Sequence, residues 1–179
     1  MFESEASQFQ AAGIQVGADQ RDAEEHLLSE ALSPFGVSQR NAALEMARLY
    51  AVLHCFENAV RFLIRETLYE KEGPDWESKL PTNVKKQAES RQKKALTDSW
   101  LEAEKSDILG FADFGHLASI IIEKWEFFED LMPTQQWLKQ RLDELENVRN
   151  FIAHNRMLLP SEIQRIYLYV ADWNKRVGF

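Results

Sequence analysis

The stretch Trp137-Leu138-Lys139-Gln140-Arg141-Leu142-Asp143-Glu144-Leu145-Glu146-Asn147-Val148-Arg149-Asn150-Phe151-Ile152-Ala153-His154-Asn155-Arg156 decides the fold. Trp137, Leu138, Leu142, Leu145, Val148 and Ile152 recur at helical spacing, so one face of a single helix is apolar and the rest is polar. Pro133 stands ahead of this helix. Pro160 opens a further one, at the position where a missing N–H costs least. In that last helix Ile163, Ile166, Tyr167, Val170 and Trp173 are expected to form the inner face.

Working back towards the N-terminus, the same period returns. Leu117, Ile120, Ile121, Trp125 and Phe128 define a helix after the loop Gly110–Gly115, with Asp113 placed to cap it. Thr82 to Lys105 reads as a basic helix of low apolar content, packed by one edge. Ser38, as N-cap, opens a long helix to about Lys71, with Leu49, Leu53, Phe56, Val60 and Leu63 as its buried stripe. Glu72-Gly73-Pro74-Asp75-Trp76 stops it. Asp22 to Leu32 reads as a short amphipathic helix broken by Ser33-Pro34-Phe35-Gly36. The expected architecture is all-α: an up-and-down bundle of five to six helices. Residues 1–40 are expected to be an N-terminal arm or short helix, and 41–179 the helical domain.

Composition agrees. The chain has 179 residues, 45% hydrophobic and 28% charged, with 7 Gly and 5 Pro that fall between the periodic stretches. That profile fits one globular domain with long helices rather than many short strands. Cys55 is the single cysteine, so no disulfide framework or zinc cluster can form within the chain; it is expected to be a small core residue. No run of 18 apolar residues exists and the acidic start lacks signal-peptide features, so a cytoplasmic location and no membrane partner are expected.

The net charge of −8 does not by itself favour a nucleic-acid partner. The charge is uneven, however. Residues 1–32 carry seven acids against Arg21 alone, whereas Lys85, Lys86, Arg91, Lys93 and Lys94 face only Glu89. Arg149, Arg156, Arg165, Lys175 and Arg176 form a second basic region near the C-terminus. Local patches of this kind can hold RNA on an acidic protein.

Arg149, Asn150 and His154 fall near a helix end. Asn150 and His154 are four apart and share a face. Arg149 lies about 140° around the helix from His154. Read bare, such residues cap carbonyls at a helix C-terminus, where cations are favoured. They also suit phosphoryl chemistry. A His titrates near neutral pH and can move protons; an Arg neutralises charge building on phosphoryl oxygens; an Asn amide can orient either. Glu57, on the edge of a buried stripe, is placed to orient Arg149 or a neighbouring Arg, or to pair with Arg61 at i,i+4. His54-x-x-Glu57 has the spacing of a carboxylate-bundle metal motif, but no second copy follows, so neither metal nor cofactor is expected.

Arg149-Asn150-x-x-x-His154 resembles the Arg-Asn-three-residues-His motif of HEPN ribonucleases. Other stretches resemble one branch of that superfamily, found in phage-defence proteins and fused to an RNA-surveillance nuclease. They are Leu53-x3-Glu57-x3-Arg61-x3-Arg65 followed by Gly73-Pro74-Asp75-Trp76, and Asp113-Phe114-Gly115-His116-Leu117-Ala118-Ser119-Ile120-Ile121. The similarity covers roughly residues 45–160. It implies a HEPN-like bundle in which two protomers bring their motifs together and cleave RNA without metal, leaving 2′,3′-cyclic phosphate and 5′-OH ends. The implied catalytic set is Arg149, Asn150 and His154, supported by Glu57, Arg61 and Arg156. The implied partners are RNA, a second copy in a homodimer, and an antitoxin or regulatory domain, in a toxin or phage-defence setting. Arg156 departs from the antitoxin-paired branch, which carries a Tyr two residues after the His; that weighs against an antitoxin acting on that Tyr. The rival expectation is an inactive HEPN module for dimerisation or for RNA or nucleotide binding within a larger protein, which the acidic charge favours.

Overall fold

A computed structural model describes residues 28–97 and 107–177. All regular structure among them is helical. The chain divides into two units, Met1–Glu45 and Met46–Phe179. In the first, residues 28–32 are helical; the remainder of the expected 22–32 helix lies outside the described residues. Helix α1 covers Val37–Glu72. Its start is set by Gly36, whose N–H donates to the Gln39 side chain at 3.2 Å. Gln39 reaches back as the third residue of a capping box does, and Ser38 falls inside the first turn rather than at the cap.

In the second unit α1 buries Met46, Leu49, Leu53, Phe56, Val60, Ile64 and Leu68. After Val60 the stripe advances by four, so Ile64 occupies the place expected of Leu63, which is half-buried. Cys55 is exposed, contrary to its expected place in the core. At about 100° per residue it is a full step short of Phe56 and lies off the stripe. Gly73 ends the helix with φ of +81°, donating its N–H to Tyr69 O at 2.9 Å; a side chain there would be strained. A single 3₁₀ turn, Trp76–Lys79, then buries Trp76.

Helix α2, Thr82–Thr97, buries only Val84 and Ala88, as its low apolar content requires; the rest of the expected helix to Lys105 lies mostly outside the described residues. Helix α3, Phe114–Glu123, is the most apolar of the set and buries Phe114, Leu117, Ala118, Ile120 and Ile121. It stops before Trp125. The expected continuation is a 3₁₀ turn, Trp125–Phe127, which still delivers Phe128 fully into the core. Helix α4, Gln135–Ala153, starts at Thr134, whose hydroxyl accepts the Trp137 N–H. Helix α5 covers Pro160–Val177.

Helices α4 and α5 form an antiparallel hairpin, since Arg141 meets Tyr169 while Trp137 meets Arg176 further out. Of the expected inner face of α5, Ile166 and Trp173 are buried and Tyr167 is exposed. Tyr169, three residues after Ile166, packs against the core instead. Trp173 closes the bundle: its ring stands edge-on to Phe56 at 5.1 Å, and Phe56 stacks on Phe114 at 6.0 Å. This aromatic contact ties α1, α3 and α5 together. No helix among the described residues is long and apolar enough to cross a membrane.

Candidate functional site

The end of α4 is built by its backbone. His154 is the C-cap, with φ −92° and ψ 22°, and its N–H donates to Asn150 O at 3.1 Å. Asn155 follows at φ +57°. Its N–H reaches Ile152 O at 2.9 Å, and the Arg156 N–H reaches Phe151 O at 3.3 Å. These two bonds, running five-to-two and six-to-one, are a Schellman cap with Asn in the left-handed position normally taken by Gly. The Arg156 guanidinium then lies 5.3 Å from the Phe151 ring, replacing the usual apolar contact across such a cap. The result is a fixed, exposed His154. Neither its imidazole nor the Asn150 amide makes a hydrogen bond among the described residues, and both residues are exposed.

Arg149 is turned the other way. Its side chain is 27% exposed, its Nε lies 3.9 Å from Glu57 Oε2, and its guanidinium is 6.0 Å from the Phe114 ring. The contact with Glu57 is electrostatic and too long for a hydrogen bond. The Arg149 Nε is buried without a partner. Glu57 is the buried charged residue of the core, 8% exposed. Its Oε1 accepts from Arg61 at 2.5 Å, so its carboxylate stands between two guanidinium groups.

Arg61 is spent on structure. It donates to Leu109 O and Ala112 O, each at 2.9 Å, and to Asn58 Oδ1 at 3.1 Å. It therefore pins the segment leading into α3 against α1. Arg65 does the same next door through Asp107. The six residues picked from sequence thus separate into two groups. Asn150, His154 and Arg156 are exposed at the end of α4, while Arg149, Glu57 and Arg61 form a partly buried ion cluster on its inner side.

Two further contacts position α4. Glu146 accepts the Gly115 N–H at 2.9 Å, placing a carboxylate at the positive end of α3; a side chain on Gly115 would meet that carboxylate at 3.3 Å. Asp113 caps α3 through the His116 N–H and pairs with Arg91 at 2.9 Å. Burial pushes the Asp113 carboxyl up, but the Arg91 hydrogen bond, the His116 N–H and both charges outweigh it and hold the group below its ordinary 3.8. His116, which had no evident role in the sequence, completes that capping box and reaches Gln87 on α2 at 3.0 Å.

Between α4 and α5, the Tyr169 hydroxyl donates to Glu144 at 2.5 Å. That bond, with Gln140 and nearby arginines adding to it, holds the Glu144 carboxyl down against a smaller effect of burial. The phenol is pushed up by burial and by the same bond.

Residues 51–178 match the family model for Swt1-like HEPN domains. The chain belongs to the Swt1-like HEPN family. No curated protein and no solved structure matches the chain. The match includes Glu57, Arg61, Arg149, Asn150, His154 and Arg156, and it extends past the similarity read from motifs to take in the whole of α5. HEPN domains are generally ribonucleases or nucleotide-binding modules, and they often dimerise and bind RNA. Within this HEPN domain, sequence reasoning missed Asn155, whose place just after a periodic stretch is a recognised signal for a left-handed cap. Asn147 was not singled out, and Arg165 was noted only as part of the C-terminal basic region.

Proposed function

We propose that this HEPN domain is a metal-independent endoribonuclease whose site is composite, formed when two copies bring their α4 ends together. The observation that carries this reading is the separation within one chain. The free imidazole of His154 and the free amide of Asn150 face outward from a fixed helix end, whereas Arg149 is held on the inner side beside Glu57. One helix end presents a single imidazole, an amide and the Arg156 guanidinium. A second copy packed against it supplies further Arg and His groups across the junction.

In that site the RNA ribose 2′-OH oxygen attacks the adjacent phosphorus, and the bond from phosphorus to the 5′ oxygen breaks. One His154 takes the 2′-OH proton, and the second copy of His154, protonated, returns a proton to the leaving 5′ oxygen. Arg149 offsets the charge that builds on the non-bridging oxygens, with Glu57 fixing its direction and Asn150 orienting the phosphate. The products are a 2′,3′-cyclic phosphate and a 5′-OH. A toxin or defence effector is the cellular role that such an activity serves.

The test measures oligomeric state and cleavage of an end-labelled RNA pool over one concentration series, in EDTA. Cleavage that rises with the dimer fraction and leaves cyclic-phosphate ends supports the proposal. RNA left intact where the protein is fully dimeric overturns it, and makes this HEPN domain an RNA- or nucleotide-binding module.

A further inference from the structure

A cleft of about 180 Å³ opens between α4 and α5. Its floor is apolar, made by Val148, Leu158 and Ile166. Pockets that enclose drug-sized ligands run to roughly 300–1,000 Å³, so this one is too small for a whole nucleotide cofactor and suits one flat ring system. Its rim is polar. Glu144 and Glu162 contribute carboxylates, and Asn147 and Arg165 contribute an amide and a guanidinium.

The rim groups differ in what they have left to offer. Glu144 already accepts from Tyr169 and Gln140, and Glu162 accepts from the Leu159 N–H at 2.6 Å, but each carboxylate retains lone pairs. Asn147 and Arg165 make no hydrogen bond among the described residues. Two carboxylates at the mouth repel a phosphate. An apolar floor edged by one donor and one carboxylate from each helix, Asn147 with Glu144 on α4 and Arg165 with Glu162 on α5, is matched by a nucleobase, and best by guanine. Guanine presents O6 and N7 as acceptors for a guanidinium fork and N1–H and N2–H as donors to a carboxylate.

The cleft also lies in register with the proposed site. Asn147 and His154 are seven residues apart, about 20° around α4 and about 10 Å along it. A single strand of RNA can therefore occupy both. We propose that this cleft is a base-binding subsite that selects guanine in single-stranded RNA beside the scissile phosphate. The proposal rests on the ribonuclease reading for its purpose, but its test does not depend on cleavage.

The full chain carrying His154→Ala is titrated with the four nucleoside 5′-monophosphates, and with short single-stranded RNAs that contain or lack one guanine, by calorimetry and NMR. Guanosine monophosphate is expected to bind about tenfold tighter than the other three, shifting the Asn147 side-chain amide resonances. Arg165→Lys keeps the charge and removes the planar fork; it should erase the guanine preference. Equal binding of all four nucleotides, no detectable binding, or a preference that survives in Arg165→Lys overturns the proposal. Absence of RNA cleavage by the wild type would sink the ribonuclease reading and leave this binding result standing.

Discussion

Asn155 offers the sharpest link between the backbone and the site. At φ +57° it holds the turn that fixes His154, and it does so as a residue with a side chain. A left-handed conformation costs an ordinary L-residue roughly 1–2 kcal/mol, less for Asn and nothing for Gly. Asn155→Gly should therefore leave stability unchanged or raise it by a few tenths of a kcal/mol, the gain being limited by the larger unfolded-state entropy of Gly. Asn155→Ala should cost about 1 kcal/mol, and Asn155→Val about 2 kcal/mol because its branched Cβ crowds the turn further. For a chain of this size each kcal/mol moves the midpoint by roughly 2–4 °C. Thermal unfolding of the four proteins should rank Gly and Asn first, then Ala, then Val. A Val variant as stable as the wild type, or a Gly variant several degrees below it, would refute the assignment of this cap. RNA cleavage should follow the same order, since losing the turn frees His154 from its place.

Other expectations concern the interior and the capped α3. Trp173→Ala should destabilise by about 3–5 kcal/mol, read by urea unfolding, because the ring is fully buried against Phe56 and leaves a cavity. Glu57→Gln keeps the shape but leaves Arg61 and Arg149 without a charged partner; a loss of about 2–4 kcal/mol is expected, and Glu57→Asp should recover only part of it. Asp113, with its carboxyl held below 3.8, contributes stability that is complete above that value and is lost as pH falls through its folded pKa. Asp113→Asn should flatten this acid limb in unfolding curves measured across pH, and Arg91→Ala should bring the Asp113 titration upwards by NMR.

The helical bundle was legible because its physical signal is long. One apolar stripe repeats over about six turns of α1, from Met46 to Leu68, and over about four turns of α4, from Leu138 to Ile152, and proline or glycine stands at nearly every break. The misreadings fall where a single step of about 100° decides burial. Leu63 against Ile64, Tyr167 against Tyr169 and Cys55 against Phe56 are each one or two residues apart, and only packing against the neighbouring helices chooses between them. The end of α3 is a similar case: Trp125 and Phe128 continue the helical period, yet the chain tightens to a 3₁₀ turn while Phe128 remains buried.

At the candidate site, the motif shared with HEPN ribonucleases singled out Arg149, Asn150 and His154, and spacing placed Glu57 near an Arg. What pattern could not give was direction. The left-handed turn at Asn155 sends the chain away after His154, and the Glu57 carboxylate draws Arg149 inward. The turn is local, set by backbone hydrogen bonds within the end of α4, whereas the direction of Arg149 is a tertiary outcome of how α4 meets α1. The cleft beside Arg165 was illegible for the same reason, since its residues come from two helices and a loop that only the hairpin brings together.

The most direct test of the account is cleavage of a mixed, end-labelled RNA pool in EDTA by wild type, His154→Ala and Arg149→Ala at matched concentrations. The account predicts fragments with 2′,3′-cyclic phosphate ends from the wild type, and losses of at least about a hundredfold in both variants. Equal cleavage by wild type and His154→Ala, or fragments bearing 5′-phosphates, would contradict it.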